Sequence, residues 1–261
     1  AKALSRFIFS ISIFLFSISS SMAQVDHWET IVYDNSDWKY IVPTASVAAT
    51  WAEPTFDDSS WNTGQGGFGY GDGDDNTAAV GGSVFVRHSF NVTNLSDIQQ
   101  IFLHVDYDDG YVAYLNGAEI SRANIGTVGV PVDYDQYTPA EHEAVLYSGG
   151  TPEGIDVPVS ELVSGMNVLA VQVHNRNAGS SDLTCRPFFT IGTSSSNVVY
   201  GLTPTWFNPP LIFSTHLPLV VLNTFGQNIP DDPRIVIHMG IVDNGEGNMN
   251  SQSDPYNGYD G

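Results

Sequence analysis

The sequence predicts an all-β protein built around one β-sandwich or jelly roll. Three observations lead there. Apolar and polar residues alternate over several short runs, the pattern of strands with one buried face. Glycine, aspartate, asparagine and proline separate the runs, as turns require. Helical periodicity is nearly absent, and only residues 159–164 read as a single helical turn, ended by Gly165.

The elements follow in order. In residues 83–92, Val84, Val86, Phe90 and Val92 share one face, with Arg87, Ser89 and Asn91 on the other. Residues 99–107 alternate through Ile101, Leu103 and Val105. Residues 110–120 carry Val112 and Tyr114, then the pair Asn116-Gly117, then a second short strand. An Asn-Gly pair between alternating runs is a strong short-range hairpin signal. Residues 167–175 alternate through Leu169, Val171 and Val173, and residues 183–191 close the series. The segment GTSSSN that follows has linker composition, placing a linker over 193–216 after a module spanning 24–192. Two more strands are expected in the last part of the chain, 217–261, at 217–223 and 234–243.

The chain begins AKALSR, continues into an apolar, serine-laced stretch, and reaches Ser21-Met22-Ala23. That order is a secretory signal peptide over 1–23, with cleavage expected before Gln24. The stretch is shorter than the roughly 20 apolar residues that a spanning helix needs. The expectation is therefore a secreted or cell-surface protein with no membrane insertion after cleavage. The 261 residues include 29 acidic and 8 basic side chains, a formal net charge of −21. Nucleic acid is excluded as a partner because binding it needs a basic face, and an anionic membrane surface is excluded for the same reason. Cys185 is the single cysteine, so no internal disulfide or thiolate metal cluster can form. Its alternating surroundings suggest a buried thiol, with a bridge between chains as the alternative.

Two acidic segments are candidates for calcium, which takes six to eight oxygen ligands. The first is GGFGYGDGDDN at 66–76, where glycines permit tight turning and Asp72, Asp74 and Asp75 offer carboxylates. It lacks the spacing of an EF-hand, and a solvated acidic loop is the alternative. The second is Asp106-Tyr107-Asp108-Asp109-Gly110 between two strands. Adjacent carboxylates repel unless something positive or hydrogen-bonding lies between them, and a tight turn is the competing account. No Gly-x-Ser-x-Gly elbow or His-Glu-x-x-His motif occurs, so no catalytic residue is assigned. Trp28, Trp38, Trp51, Trp61 and Trp206 offer either sugar-stacking platforms or core, with Trp61 read as core.

The runs FDDSSWNTGQGGFGYGDGDD, VFVRHSFNV, DYDDGYVAYLNGAEISR, GMNVLAVQVHN and SSDLTCRPFFTIG together resemble galactose-binding-like jelly rolls of bacterial secreted proteins, over 25–192. The resemblance implies a non-catalytic module for carbohydrate binding or adhesion, or a structural spacer in an extracellular assembly. Its implied partners are a surface glycan, another extracellular protein or further copies of itself, and its implied cofactor is Ca2+. The segment DDGYVAYLNG also resembles the aspartate pair of calcium-dependent, protective-antigen-type lectin domains, which would make Asp108 and Asp109 metal ligands. The last segment, about 215–261, resembles the opening of a CotH kinase-like domain. That family's catalytic residues would fall beyond Gly261, so the expectation is no enzyme activity in this chain, although it could be the front part of a longer protein.

Overall fold

The computed structural model describes residues 25–73, 75–209, 214–223, 232, 234–251 and 254–261. The expected signal peptide and Asp74 lie outside the described residues. The chain divides into two compact units after Phe207.

Strands of the first unit, in chain order, are β1 (His27–Val32), β2 (Asp37–Ile41), β3 (Asn62–Gln65), β4 (Phe68–Tyr70), β5 (Thr77–Ala78) and β6 (Ser83–Val92), then β7 (Ile98–Asp108), β8 (Gly110–Leu115), β9 (Ala118–Ala123), β10 (Gly154–Asp156), β11 (Gly165–His174) and β12 (Leu183–Thr193). They form two sheets of six strands each. One runs β10-β7-β12-β4-β5, with β1 beside β4 on the same edge of β12. The other runs β3-β2-β6-β11-β8-β9. The protein is thus nearly all β, a sandwich, as the alternation predicts.

The inner faces carry the residues that the pattern assigned to them. Ile101, Leu103 and Val105 of β7 meet Val84, Val86, Leu169, Val171 and Val173 of the second sheet in one core. Phe90 of β6 and Phe189 of β12 join the two sheets, with ring centroids 5.7 Å apart. Cys185 is fully buried in this core, and burial raises its thiol pKa, so the buried-thiol reading holds. The β8–β9 turn falls on Asn116-Gly117, both with positive φ (53° and 89°), as the hairpin signal requires. The expected helical turn is a short 3-10 turn at Val159–Glu161.

The outward positions of both sheets are covered too. Val168 and Ala170 of β11 and Phe85 of β6 lie under Trp51 and Trp61, carried by the long connection between β2 and β3. Arg87 is buried there, donating from Nε to Asp58 (2.9 Å) and from its Nη atoms to the carbonyls of Trp51 and Glu53. Trp38 is buried in the main core. These three tryptophans are therefore packing residues, and the platform reading does not apply to them.

The first unit continues past the boundary expected at Gly192. Glu29 of β1 is buried and accepts the backbone N–H groups of Val199 (2.9 Å) and Tyr200. Thr30 and Gly201 exchange two backbone hydrogen bonds. Trp206 then packs edge-on against His104 and Phe188, with centroids 5.2 and 4.9 Å apart. A serine-rich segment can be fixed in this way when a buried carboxylate takes up its backbone donors.

In the second unit, β13 (Ser214–Thr215) pairs with β16 (Asn250–Ser251). There β14 (Leu219–Asn223) pairs antiparallel with β15 (His238–Val242), which also pairs with β17 (Tyr259–Asp260). The two strands expected here are present, each shorter than the sequence suggested.

Truncating the side chain that joins the sheets should leave a cavity. Phe189→Ala is expected to lower unfolding stability by about 3–5 kcal/mol. Met166→Ala, at an exposed β11 position, is expected to change it by less than about 0.5 kcal/mol. Urea denaturation of both variants measures this, and equal midpoints would refute the core assignment.

Candidate functional site

Strand β7 ends and β8 begins within Asp106–Gly110, and the alternation of β7 decides what each aspartate does. From Phe102 onward, even-numbered β7 residues alternate with the core-facing Leu103 and Val105 and face away from the core. Asp106 lies opposite Arg186 on β12, and Asp108 lies opposite Thr184. Asp109 follows in the turn, and the Asp108–Asp109 peptide is cis.

The three carboxylates are all buried, with residue exposures of 2%, 4% and 3% for Asp106, Asp108 and Asp109. Asp106 accepts the backbone N–H groups of Val145 (2.7 Å) and Leu146 (3.1 Å), one on each oxygen. Burial raises its pKa, while these two bonds and the nearby Arg186 act to lower it. Asp109 accepts the N–H of His142 on Oδ1 (2.8 Å) and that of Arg176 on Oδ2 (2.7 Å). Its backbone carbonyl accepts a bond from Asn124 Nδ2 at 3.0 Å. Asp106 and Asp109 thus tie connecting segments to the β7–β8 turn.

Asp108 differs. Among the described residues no backbone N–H meets its carboxyl group; its side-chain hydrogen bond is with the Asp109 carboxyl, and its other close neighbours are carboxylates too. Oxygens of Asp108, Glu143 and Asp182 all lie within 4.8 Å of one another. Burial, then the charges of Asp109, Asp182 and Glu143, push its pKa up from 3.8 to about 8. The trio lines a cavity of about 210 Å³, together with Asp109, Asn177, Ser180 and Ser181. Arg176 stands at the same cavity, but its guanidinium pairs with Glu141.

The assembly of this trio follows from the bonds of Asp109. Holding the His142 N–H brings Glu143 to the cavity, and holding the Arg176 N–H brings in the segment that carries Asp182. Tyr70 of β4 helps to fix that segment, donating to the Ser180 carbonyl (3.3 Å) and accepting from Asn175 Nδ2 (2.9 Å). Gly69 lets β4 approach β12 closely, since a Cβ there would sit 1.9 Å from the Leu183 carbonyl oxygen.

Asp72 stands beside the trio. Its Oδ2 accepts a bond from Thr184 Oγ1 at 3.0 Å, and Thr184 is the residue opposite Asp108. Its Oδ1 is buried and has no hydrogen-bond partner among the described residues. The two acidic segments singled out in the sequence therefore converge through β12. The sequence did not reveal Glu143 and Asp182, which lie in irregular segments with no motif around them.

Three carboxylates, one of them buried and met by no backbone N–H, fit a hard divalent cation. They supply fewer oxygens than calcium takes, leaving positions for water or ligand hydroxyls.

No family model matches the chain, and no curated protein matches it. Among solved structures, an uncultured Clostridium sp. beta-glucuronidase matches at 16% identity and TM-score 0.42, covering 92% of this chain and 36% of that one. A glycosyl hydrolase family 2 member from Bacteroides cellulosilyticus matches at 14% identity and TM-score 0.42, covering 61% and 20%. A calcium-binding mutant of Bacteroides uniformis beta-glucuronidase 2 matches at 18% and 0.40, covering 63% and 18%. The chain spans at most about a third of these enzymes' lengths. At such scores the likenesses carry no argument about its function, and the CotH resemblance gains no support from them.

The pKa of Asp108 makes a signed prediction in the presence of chelator. The folded chain binds this proton more tightly than the unfolded chain. The resulting stability is complete below the ordinary value of 3.8 and is lost as pH rises through about 8. Asp108→Asn is expected to flatten that fall and to unfold at a higher temperature than the parent at pH 8. Parallel melting curves from pH 5 to 8 would contradict it.

Proposed function

We propose that this chain is a secreted, non-catalytic carbohydrate-binding module of the galactose-binding-like kind, with calcium held by Asp108, Glu143 and Asp182. One observation carries the reading. A buried carboxyl group that no backbone N–H meets faces two further carboxylates in a cavity whose arginine is already paired. Mutual repulsion among three carboxylates, one of them buried, would be relieved by a cation that joins them. A bound calcium would supply charge neutralisation and open coordination positions for vicinal sugar hydroxyls. Ser180, Ser181 and Asn177 at the same cavity would add hydrogen bonds to the sugar. Asp72 would support the trio through Thr184. Asp106 and Asp109 would serve as braces, with Asp109 also lining the cavity.

Export rests on the leader-like segment 1–23. The second unit is proposed as a CotH-like opening with no catalytic residue assigned. A structural spacer in an extracellular assembly is the reading that remains if no cation binds.

Calcium is expected to raise the melting temperature and chelator to lower it. A ligand that binds only the folded state adds about 2.7 kcal/mol at a hundredfold excess over its dissociation constant. Asp182→Asn and Glu143→Gln should each abolish most of that response. A glycan array probed with calcium should give signals that chelator removes. No calcium response in calorimetry would sink the metal assignment, and an empty array would sink the glycan assignment.

A further inference from the structure

The sandwich is open at one edge. There β10 ends the first sheet and β9 ends the second, and a cavity of about 460 Å³ lies between residues of the two sheets. Val105 and Tyr107 of β7 and Ile155 of β10 line it from one sheet, and Tyr111 of β8 and Ser121 of β9 line it from the other. The connecting segments add His142 and Glu153. It shares no lining residue with the acidic cavity. Its size falls in the range of small-molecule sites, roughly 300–1,000 Å³.

The polar groups on its wall narrow the chemistry of a ligand. Tyr111 and Ser121 hydroxyls bond each other at 2.7 Å. Two hydroxyls that share one bond still hold one unspent proton and several lone pairs. Glu153 is exposed and has no ion pair or hydrogen bond among the described residues, yet it lies near enough to raise the pKa of both Tyr107 and Tyr111. His142 uses Nδ1 against the Tyr107 carbonyl (3.1 Å), leaving Nε2 for a ligand. Arg122 also borders the cavity, but Glu119 and the carbonyls of Ile125 and Val130 occupy its guanidinium.

These groups disfavour both kinds of charged ligand. An anion would meet Glu153 and no uncommitted positive charge. An alkylammonium ion would meet Glu153 but no open aromatic face to strengthen its hold, since the Tyr107 ring is stacked by His142 at 4.0 Å and met by Tyr111 at 4.6 Å. What remains suits a neutral ligand with several hydroxyls. Glu153 and His142 Nε2 would accept from them, the Tyr111–Ser121 pair would donate, and Val105 and Ile155 would contact its C–H face.

We propose that this inter-sheet cleft is a second binding site, for one or two neutral sugar residues, that works without the cation. The proposal takes its ligand class from the glycan-binding reading and does not depend on the calcium assignment.

The test uses the full chain in chelator. Calorimetric titration is run with methyl glucoside, methyl galactoside, methyl mannoside, cellobiose and maltose, with tetramethylammonium as a charged control. At least one sugar is expected to bind, with affinity reduced tenfold or more by Tyr111→Phe and by Glu153→Gln. Asp182→Asn should change it less than twofold. Both cleft variants keep their ring or chain length, and an unchanged melting temperature confirms that each is folded. The proposal is overturned if no sugar of the panel binds, if binding ignores both cleft variants, if it requires calcium and vanishes in Asp182→Asn, or if tetramethylammonium binds instead. Sugar binding in chelator alongside a missing calcium response would remove the metal assignment and leave the cleft standing.

Discussion

The carboxylate of Asp109 holds two distant segments by their backbone N–H groups, and the candidate site exists because of it. A buried carboxylate is tolerated when donors meet both of its oxygens. Here the donors come from His142 and Arg176, so one side chain in a tight turn positions segments far apart in sequence. Asp106 repeats the device three residues earlier with Val145 and Leu146. The segment between His142 and Leu146 is therefore fixed at both ends, and its alternation sends Glu143 to the acidic cavity and His142 to the inter-sheet cleft.

The same economy explains how the sandwich is finished. A sheet with one wet face carries polar residues outward, but the outward positions Val168 and Ala170 of β11 are apolar, because they lie under the connection that carries Trp51 and Trp61. That connection is held by Arg87, whose donors go to Asp58 and to two carbonyls. On the other sheet Glu29 plays the matching part, taking the backbone donors of Val199 and Tyr200. Irregular segments cannot satisfy their own backbone groups as ladders do. Buried charged side chains from the strands supply the missing partners.

Legibility in the sequence follows from this division of labour. The long strands β6, β7, β11 and β12 showed themselves because a period of two survives wherever one face meets the core. The β8–β9 turn was visible because Asn116 and Gly117 take a backbone conformation that few residues adopt. The short strands β3, β4, β5 and β10 were not, because at two to four residues they are too short to show an alternation. The segment after Gly192 looked like a linker because its anchor, Glu29, lies far away near the start of the chain. For the site, Asp108 could be named from the charge density of its turn. Its companions Glu143 and Asp182 sit in segments whose paths depend on Asp109, and nothing local marks them.

The difference between Asp108 and its neighbours is finally one of donors. Asp106, Asp109 and Glu29 are all buried, and each is met by backbone N–H groups. Asp108 is equally buried and receives none, and the groups nearest it repel its charge. A fold that satisfies three buried carboxylates has the means to satisfy a fourth. Leaving it unsatisfied, against Glu143 and Asp182, concentrates negative potential at a cavity that opens to solvent beside serine and asparagine side chains. Either a proton or a cation must relieve that potential. A proton on Asp108, which its raised pKa favours, neutralises one of the three groups, whereas a cation of the kind proposed would draw on all three at once.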